Sequence, residues 1–376
     1  MRLSSQFSHH HAARWSWRRL GCFVLALPIV VVLVFLLFVT VCSPPVSAAV
    51  SVAPLPADFQ RGVSYVSDKR GDFSHLLSDQ TLAQIVAPSS ANWVAVIVTC
   101  YQQNDSTTEI SCAHASASDD DLRHVITQAH SLGLKVMLKP HVDPLDMPNS
   151  SNGRFNINFG SDETAWTAWF ASYTRFITHY AALAQELHAE YFTVGTELGD
   201  TVTHADQWRS VIRAVRAVYS GPLTYAALTY VEPLEISWWD QLDAIGIDAY
   251  FAVTLTKNPT PAQMELGWSP TVAFLGEIAQ HWNKPIILTE VGYMSVDGTN
   301  ILPGDWSLDG ATDPQEQADS YQALFEAFGG QSWWRGVFWW ALSTDPDQGG
   351  LTDRGYSFHG KPAEAVLKRF FGAAAS

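Results

Sequence analysis

Eight short runs of apolar and β-branched residues, spaced along residues 61–343, restrict what this chain can fold into more than any other feature of its sequence. They are RGVSYVS (61–67), NWVAVIVTCY (92–101), KVMLKPHVD (135–143), YFTVGTEL (191–198), LTYAALT (223–229), AIGIDAYF (244–251), PIILTEVGY (285–293) and GVFWWALS (336–343). Between them lie amphipathic segments with helical spacing: DDDLRHVITQAHSLG, AWTAWFASYTRFITHYAALAQELHAE, HADQWRSVIRAVRAVYSG, TVAFLGEIAQHWN and PQEQADSYQALFEAFGG. Several start at acidic residues or Pro and stop at Gly, as helix termini do. The fifth unit is the weakest, because PLEISWWDQLD leaves room for only a short helix. Continuous apolar strands alternating with helices imply a parallel sheet covered on its faces. Eight such units over roughly 310 residues fit a closed (β/α)8 TIM barrel of the α/β class, spanning residues 59–372. The rival, an open doubly wound sheet, lacks a glycine-rich phosphate loop after its first strand.

Residues 1–48 read as a separate basic leader plus a signal peptide or membrane anchor. Arg2, Arg14, Arg18 and Arg19, with no acidic residue among them, precede an apolar run over 20–42. That run is long enough to cross a bilayer, and its basic flank places the N-terminus in the cytoplasm and the rest outside. Val46 and Ala48 supply an A-x-A-like cleavage pattern, yet the run exceeds an ordinary signal core. A cleaved signal and an uncleaved anchor therefore both stand, and the protein is expected to be extracytoplasmic, secreted or tethered. Residues 49–58, rich in Ala and Pro, form a linker.

The hydrophobic content of 47% against 16% charged residues supports an extensive core. With 37 acidic against 22 basic residues the net charge is −15. No broad cationic face can be built from that balance, which disfavours nucleic acid as a partner. The 15 tryptophans and 12 tyrosines suit either a large core or sugar-stacking platforms. Outside the leader only Cys100 and Cys112 remain, flanking a polar loop. In an oxidising compartment they are candidates for a disulfide, the alternative being two unrelated thiols. No CxxC or Cys/His cluster supports a metal site, and no cofactor is implied.

Two of the apolar runs end on a carboxylate, Glu197 in YFTVGTELGD and Glu290 in PIILTEVGY. Desolvating an ionised carboxylate is costly, so such placement needs a reason. In a barrel the C-terminal strand ends converge on one mouth, where reactive side chains gather. The ends of the fourth and seventh strands would bring both glutamates into one cup. Retaining glycoside hydrolysis uses two carboxyl groups roughly 5–5.5 Å apart, one as nucleophile and one as acid/base. A lone Glu at a strand end is commonly just salt-bridged or solvated; two at equivalent positions argue for chemistry.

From about residue 60 to 371 the chain resembles the retaining (β/α)8 glycoside hydrolases of the large clan with its acid/base after strand four and its nucleophile on strand seven. Within that clan it is most similar to the family 113 β-mannanases. The motifs that carry the resemblance are KPHVD, WFASYTRFITHYA, VGTEL, IGIDAY, TEVGY and the tail GVFWWAL…HGKPAEAVL. The resemblance implies that Glu197 is the acid/base, Glu290 the nucleophile, and a β-linked oligo- or polysaccharide the partner, with β-1,4-mannan leading over β-glucan or xylan. A non-catalytic sugar-binding barrel is the alternative of a different class. Many clan members carry Asn directly before the acid/base to bind the sugar 2-hydroxyl; this chain has Thr196.

Further candidates surround the two glutamates. By the resemblance Tyr250 hydrogen-bonds the nucleophile; Asp248 shares its face two residues earlier and reads as a buried hydrogen-bonding partner rather than a third catalytic acid. Lys139, His141 and Asp143 alternate along the third strand and so share a face, where they would bind sugar hydroxyls or stabilise carboxylates. Arg154 in the third loop is a candidate sugar contact. Trp339 and Trp340 face opposite sides of the eighth strand, and counting from Gly336 as in similar sequences favours Trp340 as the stacking floor. Tyr65, Tyr101, Trp239, Tyr293 and Trp306 are candidates for further subsites or for packing. The mechanism requires Glu197 protonated and Glu290 ionised, a difference that environment must create.

Overall fold

The computed structural model describes residues 54–146 and 153–373. The leader, its apolar run over 20–42 and most of the linker lie outside them. Among the described residues no helix is long and apolar enough to cross a membrane. The described residues hold eight strands: β1 (Gln60–Val66), β2 (Trp93–Gln102), β3 (Lys135–Pro144), β4 (Tyr191–Thr196), β5 (Leu223–Leu228), β6 (Ile245–Asp248), β7 (Ile286–Val291) and β8 (Trp334–Ser343). They close in chain order into a parallel barrel, β8 pairing back onto β1.

Each strand is followed by a helix: α1 (Leu76–Thr81), α2 (Asp119–Ser131), α3 (Glu163–Glu186), α4 (Ala205–Arg216), α5 (Glu232–Glu235), α6 (Pro261–Trp282), α7 (Pro314–Phe328) and α8 (Pro362–Gly372). Their starts have local causes. Ser118 and Asp121 form a capping box on α2, Thr260 and Gln263 another on α6, and Asp162 and Asp313 accept the first free N–H groups of α3 and α7. The helix expected from Thr271 therefore begins ten residues earlier: the capping box and Pro261 in the first turn define the start, and Pro270 is carried inside. The expected short helix of the fifth unit is a single turn, α5.

Side chains divide into two cores. Inside the barrel, Trp93, Ala95, Ile97, Met137, Tyr191, Ala244, Ile287 and Phe338 pack together. Trp93 meets Tyr191 and Phe338 edge-on at 6.3 and 6.4 Å, which plugs the end where the strands begin. The larger outer core fills the space between sheet and helices. The interior is thus left open only at the C-terminal ends of the strands. Cys100, near the end of β2, is joined by a disulfide to Cys112 in the loop that follows.

Bulges interrupt the ladder where it carries the glutamates. Between Thr193 and Thr196, β4 advances three residues while β5 advances two. Between Leu288 and Val291, β7 likewise advances three against two on β8. Strict alternation from inward-facing Ile287 would turn Glu290 outward; the extra residue lets Thr289 and Glu290 both face in.

Candidate active site

The open end of the barrel gathers six charged side chains. Inward alternation on β3 places Lys139 and His141 above Met137, as their spacing predicts. Lys139 is fully buried, with Nζ 3.1 Å from both oxygens of Asp248 and hydrogen-bonded to Glu290 Oε1. Asp248 also accepts a 2.7 Å hydrogen bond from Thr289 Oγ1. The second oxygen of Glu290 accepts from the Tyr250 hydroxyl at 2.8 Å. His141 Nε2 lies 3.6 Å from Glu290 Oε1, and its ring stacks parallel to Trp340, with centroids 6.3 Å apart and planes 9° apart. Across the mouth Arg154 grips Asp143 through two bonds of 2.7 and 3.0 Å, and its Nη1 lies 3.5 Å from Glu197 Oε2.

Two cations thus face four carboxyl groups, so the cluster is least strained when a carboxyl keeps its proton. Burial pushes Glu197 well above the usual carboxylate range; the charges of Asp248 and Glu290 add to this, and Arg154 and Lys139 oppose it. Asp248 is raised in the same direction by burial and by Glu290, against the pull of Lys139. His141 is driven well below its ordinary value by burial and by the two cations, so its imidazole is neutral. Burial and the Glu290 charge raise Tyr250, which stays a hydroxyl donor. Among the described residues no group of three or more His, Cys, Asp or Glu side chains is arranged to hold a metal ion.

The other candidates separate cleanly. Glu197 follows β4 in a left-handed conformation, φ 53°, and Thr196 before it is buried with no protein partner for Oγ1. Tyr65 does not belong to the mouth. It is fully buried outside the barrel, where its hydroxyl donates to Ser78 of α1 and its ring stacks on Phe73. The bulky ring on an outward-facing position of β1 finds apolar neighbours there. Trp339, Trp239 and Tyr293 are likewise buried packing residues, Trp339 stacking on Tyr321 at 3.6 Å. Tyr101 is half-buried, within reach of the charges on Asp143 and Arg154. Trp306 is 66% exposed. It borders a cavity of about 390 Å³ shared with Tyr250, Leu302, Pro303 and Asp305. Sequence reasoning missed Thr289, which orients Asp248, and Tyr356, which donates to the Pro303 carbonyl at 2.8 Å and holds the loop beside that cavity. The repeated Thr-Glu wording was a signal for the former.

The model of Glycoside Hydrolase Family 113 matches residues 63–361. A solved family 113 β-1,4-mannanase is 30% identical, with a TM-score of 0.76 over 84% of this chain and 99% of that one. A family 113 β-mannanase from Alicyclobacillus acidocaldarius, solved in complex with ManMIm, is 30% identical, with a TM-score of 0.75 over 84% and 98%. The Ruminococcus gnavus β-glucuronidase, 14% identical with a TM-score of 0.58 over 83% of this chain and 50% of that one, shares the fold alone. No curated protein sequence matches the chain. The match over most of its length, on a barrel with this charged mouth, shows that the chain belongs to glycoside hydrolase family 113.

Proposed function

We propose that this family 113 member is a retaining β-mannanase that cleaves β-1,4-mannan by double displacement, with Glu290 as nucleophile and Glu197 as acid/base. The observation that carries this reading is the contrast between the two carboxyl groups. Glu290 receives a cation and a hydroxyl donor, whereas burial and neighbouring negative charge favour the protonated form of Glu197. The substrate is inferred from the relatives described as β-1,4-mannanases, which this chain matches over nearly their whole length.

In the first step a Glu290 oxygen attacks the anomeric carbon. The glycosidic bond breaks, its electron pair stays on the departing oxygen, and that oxygen takes the Glu197 proton. Forming the glycosyl ester removes the negative charge of Glu290, so Glu197, now a carboxylate, becomes a base of matched strength for the second step. It takes a proton from water as the water oxygen attacks the same carbon and frees Glu290. Two inversions leave the configuration retained. Trp340, backed by the neutral His141, supplies a flat floor for the sugar. The cavity beside Trp306 has room for a further sugar of the chain.

The deciding experiment is hydrolysis of β-1,4-linked manno-, gluco- and xylo-oligosaccharides, with proton NMR of the first anomer released. Manno-oligosaccharide cleavage releasing the β-anomer first, and its abolition in Glu290→Ala, are expected; release of the α-anomer first would exclude double displacement. The basic leader and the Cys100–Cys112 disulfide support an extracytoplasmic location, since structural disulfides persist in oxidising compartments.

A further inference from the structure

Glu232, the first residue of α5, is a buried carboxyl that the chemistry above does not use. Its oxygens face three donors. Oε1 accepts from the Gly199 N–H at 3.0 Å and from the Tyr225 hydroxyl, and Oε2 accepts from the Leu228 N–H at 2.5 Å. The Tyr225 oxygen in turn accepts the Leu198 N–H at 2.8 Å. Two of the three residues after Thr196 are therefore tied by their backbone to one Tyr–Glu pair. Glu197, directly before them, is held by its own N–H to the Ala226 carbonyl at 2.9 Å. These bonds hold a turn that is costly at one position: Glu197 sits at φ 53°, where a side chain is disfavoured, while Gly199 at φ 51° adopts that region freely.

The pair is itself immobilised. The Tyr225 ring lies against β4 only because residue 195 is glycine; a Cβ there would stand 2.7 Å from the ring and 2.9 Å from Trp208. Trp208, Trp238 and Trp239 enclose the ring on the outer side at centroid distances of 5.4, 5.3 and 6.2 Å. Tyr225 stays protonated, since burial and the Glu232 charge raise it well above its ordinary value, and so it remains a donor to Glu232.

We propose that Tyr225 and Glu232 are positioning residues for the acid/base: acting from outside the barrel, they lock the left-handed turn that aims Glu197 at the departing oxygen. This rests on the reading of Glu197 as acid/base. It predicts a loss confined to steps that need proton transfer, because neither residue touches the nucleophile or the sugar floor.

The test compares Tyr225→Phe and Glu232→Gln with the wild type on aryl β-mannotriosides. The measured quantity is kcat/KM, which reports only steps up to the glycosyl-enzyme. Phenyl leaving groups need a proton; 2,4-dinitrophenyl leaving groups do not. A misplaced catalytic group can cost about 100-fold, so kcat/KM for the phenyl substrate is expected to fall about 10- to 100-fold, while that for the dinitrophenyl substrate falls less than about 3-fold. Equal loss on both substrates, in variants whose thermal melts and circular dichroism match the wild type, would overturn the clamp, as would no loss on either. Tyr225→Phe keeps the ring in its aromatic cage and serves if Glu232→Gln does not fold. If the wild type itself cleaves neither substrate, it is the reading of the function that fails.

Discussion

At the residue scale the mouth is governed by one buried lysine between two carboxylates. Lys139→Met would leave Asp248 and Glu290 facing each other without a cation; breaking a buried ion pair in this way costs about 3–5 kcal/mol. Urea unfolding is expected to show that loss together with loss of hydrolysis. Arg154 acts on the other glutamate. Its charge opposes the burial that raises Glu197, so Arg154→Leu raises Glu197 further and leaves Asp143 uncompensated beside it. Proton donation fails as pH rises through the Glu197 value. The basic limb of the kcat/KM profile on a phenyl mannoside is therefore expected to move to higher pH in this variant. The two glutamates were legible because two separate strands end in the same Thr-Glu wording, and the Lys139 and His141 face because a strand has a period of two. The Lys139–Asp248 pairing was not, since it joins residues 109 positions apart. Tyr65 misled because a tyrosine carries no mark of which side of the sheet it will face.

Among the elements, the strand–turn junctions matter more than the strands. The bulges in β4 and β7 turn side chains that simple alternation would have misdirected, and the turn after β4 carries Glu197. Gly199 is the test of that turn. Its φ is positive, and a Cβ would stand 2.0 Å from the Phe155 carbonyl oxygen. Gly199→Ala is expected to destabilise the protein by about 1–3 kcal/mol in thermal or urea unfolding, and to lower kcat on mannan, because the displaced turn carries Glu197. Helix boundaries were legible where caps dominate, as at Ser118 and Asp313. The early start of α6 was not legible from the apolar spacing that begins at Thr271, because the capping box that sets it, Thr260 with Gln263, begins eleven residues upstream.

For the molecule as a whole, pH and redox state should both register in stability. Glu232 is raised from its ordinary 4.5 to about 7 by burial. The folded state therefore binds this proton more tightly than the unfolded chain. The contribution is complete below pH 4.5 and is lost as pH rises toward about 7; it amounts to roughly 3 kcal/mol. Melting temperature is expected to fall between about pH 5 and 8, and Glu232→Gln to flatten that decline. Reducing the Cys100–Cys112 bond opens a short loop at the end of β2 and is expected to cost about 2–4 kcal/mol, read as a lower melting temperature in dithiothreitol.

Local periodicity determined the (β/α)8 class, the number of units and the two strand ends that carry Glu197 and Glu290, because strand and helix spacing depend only on neighbours along the chain. The tertiary structure decided which charges meet: Lys139 with Asp248 and Glu290, Arg154 with Asp143 and Glu197, and Glu232 with the turn after β4. It also decided the bulges and the burial that raises Glu197 and Asp248 above the usual carboxylate range. Register shifts and desolvation arise from contacts between segments, and no window of sequence contains both partners.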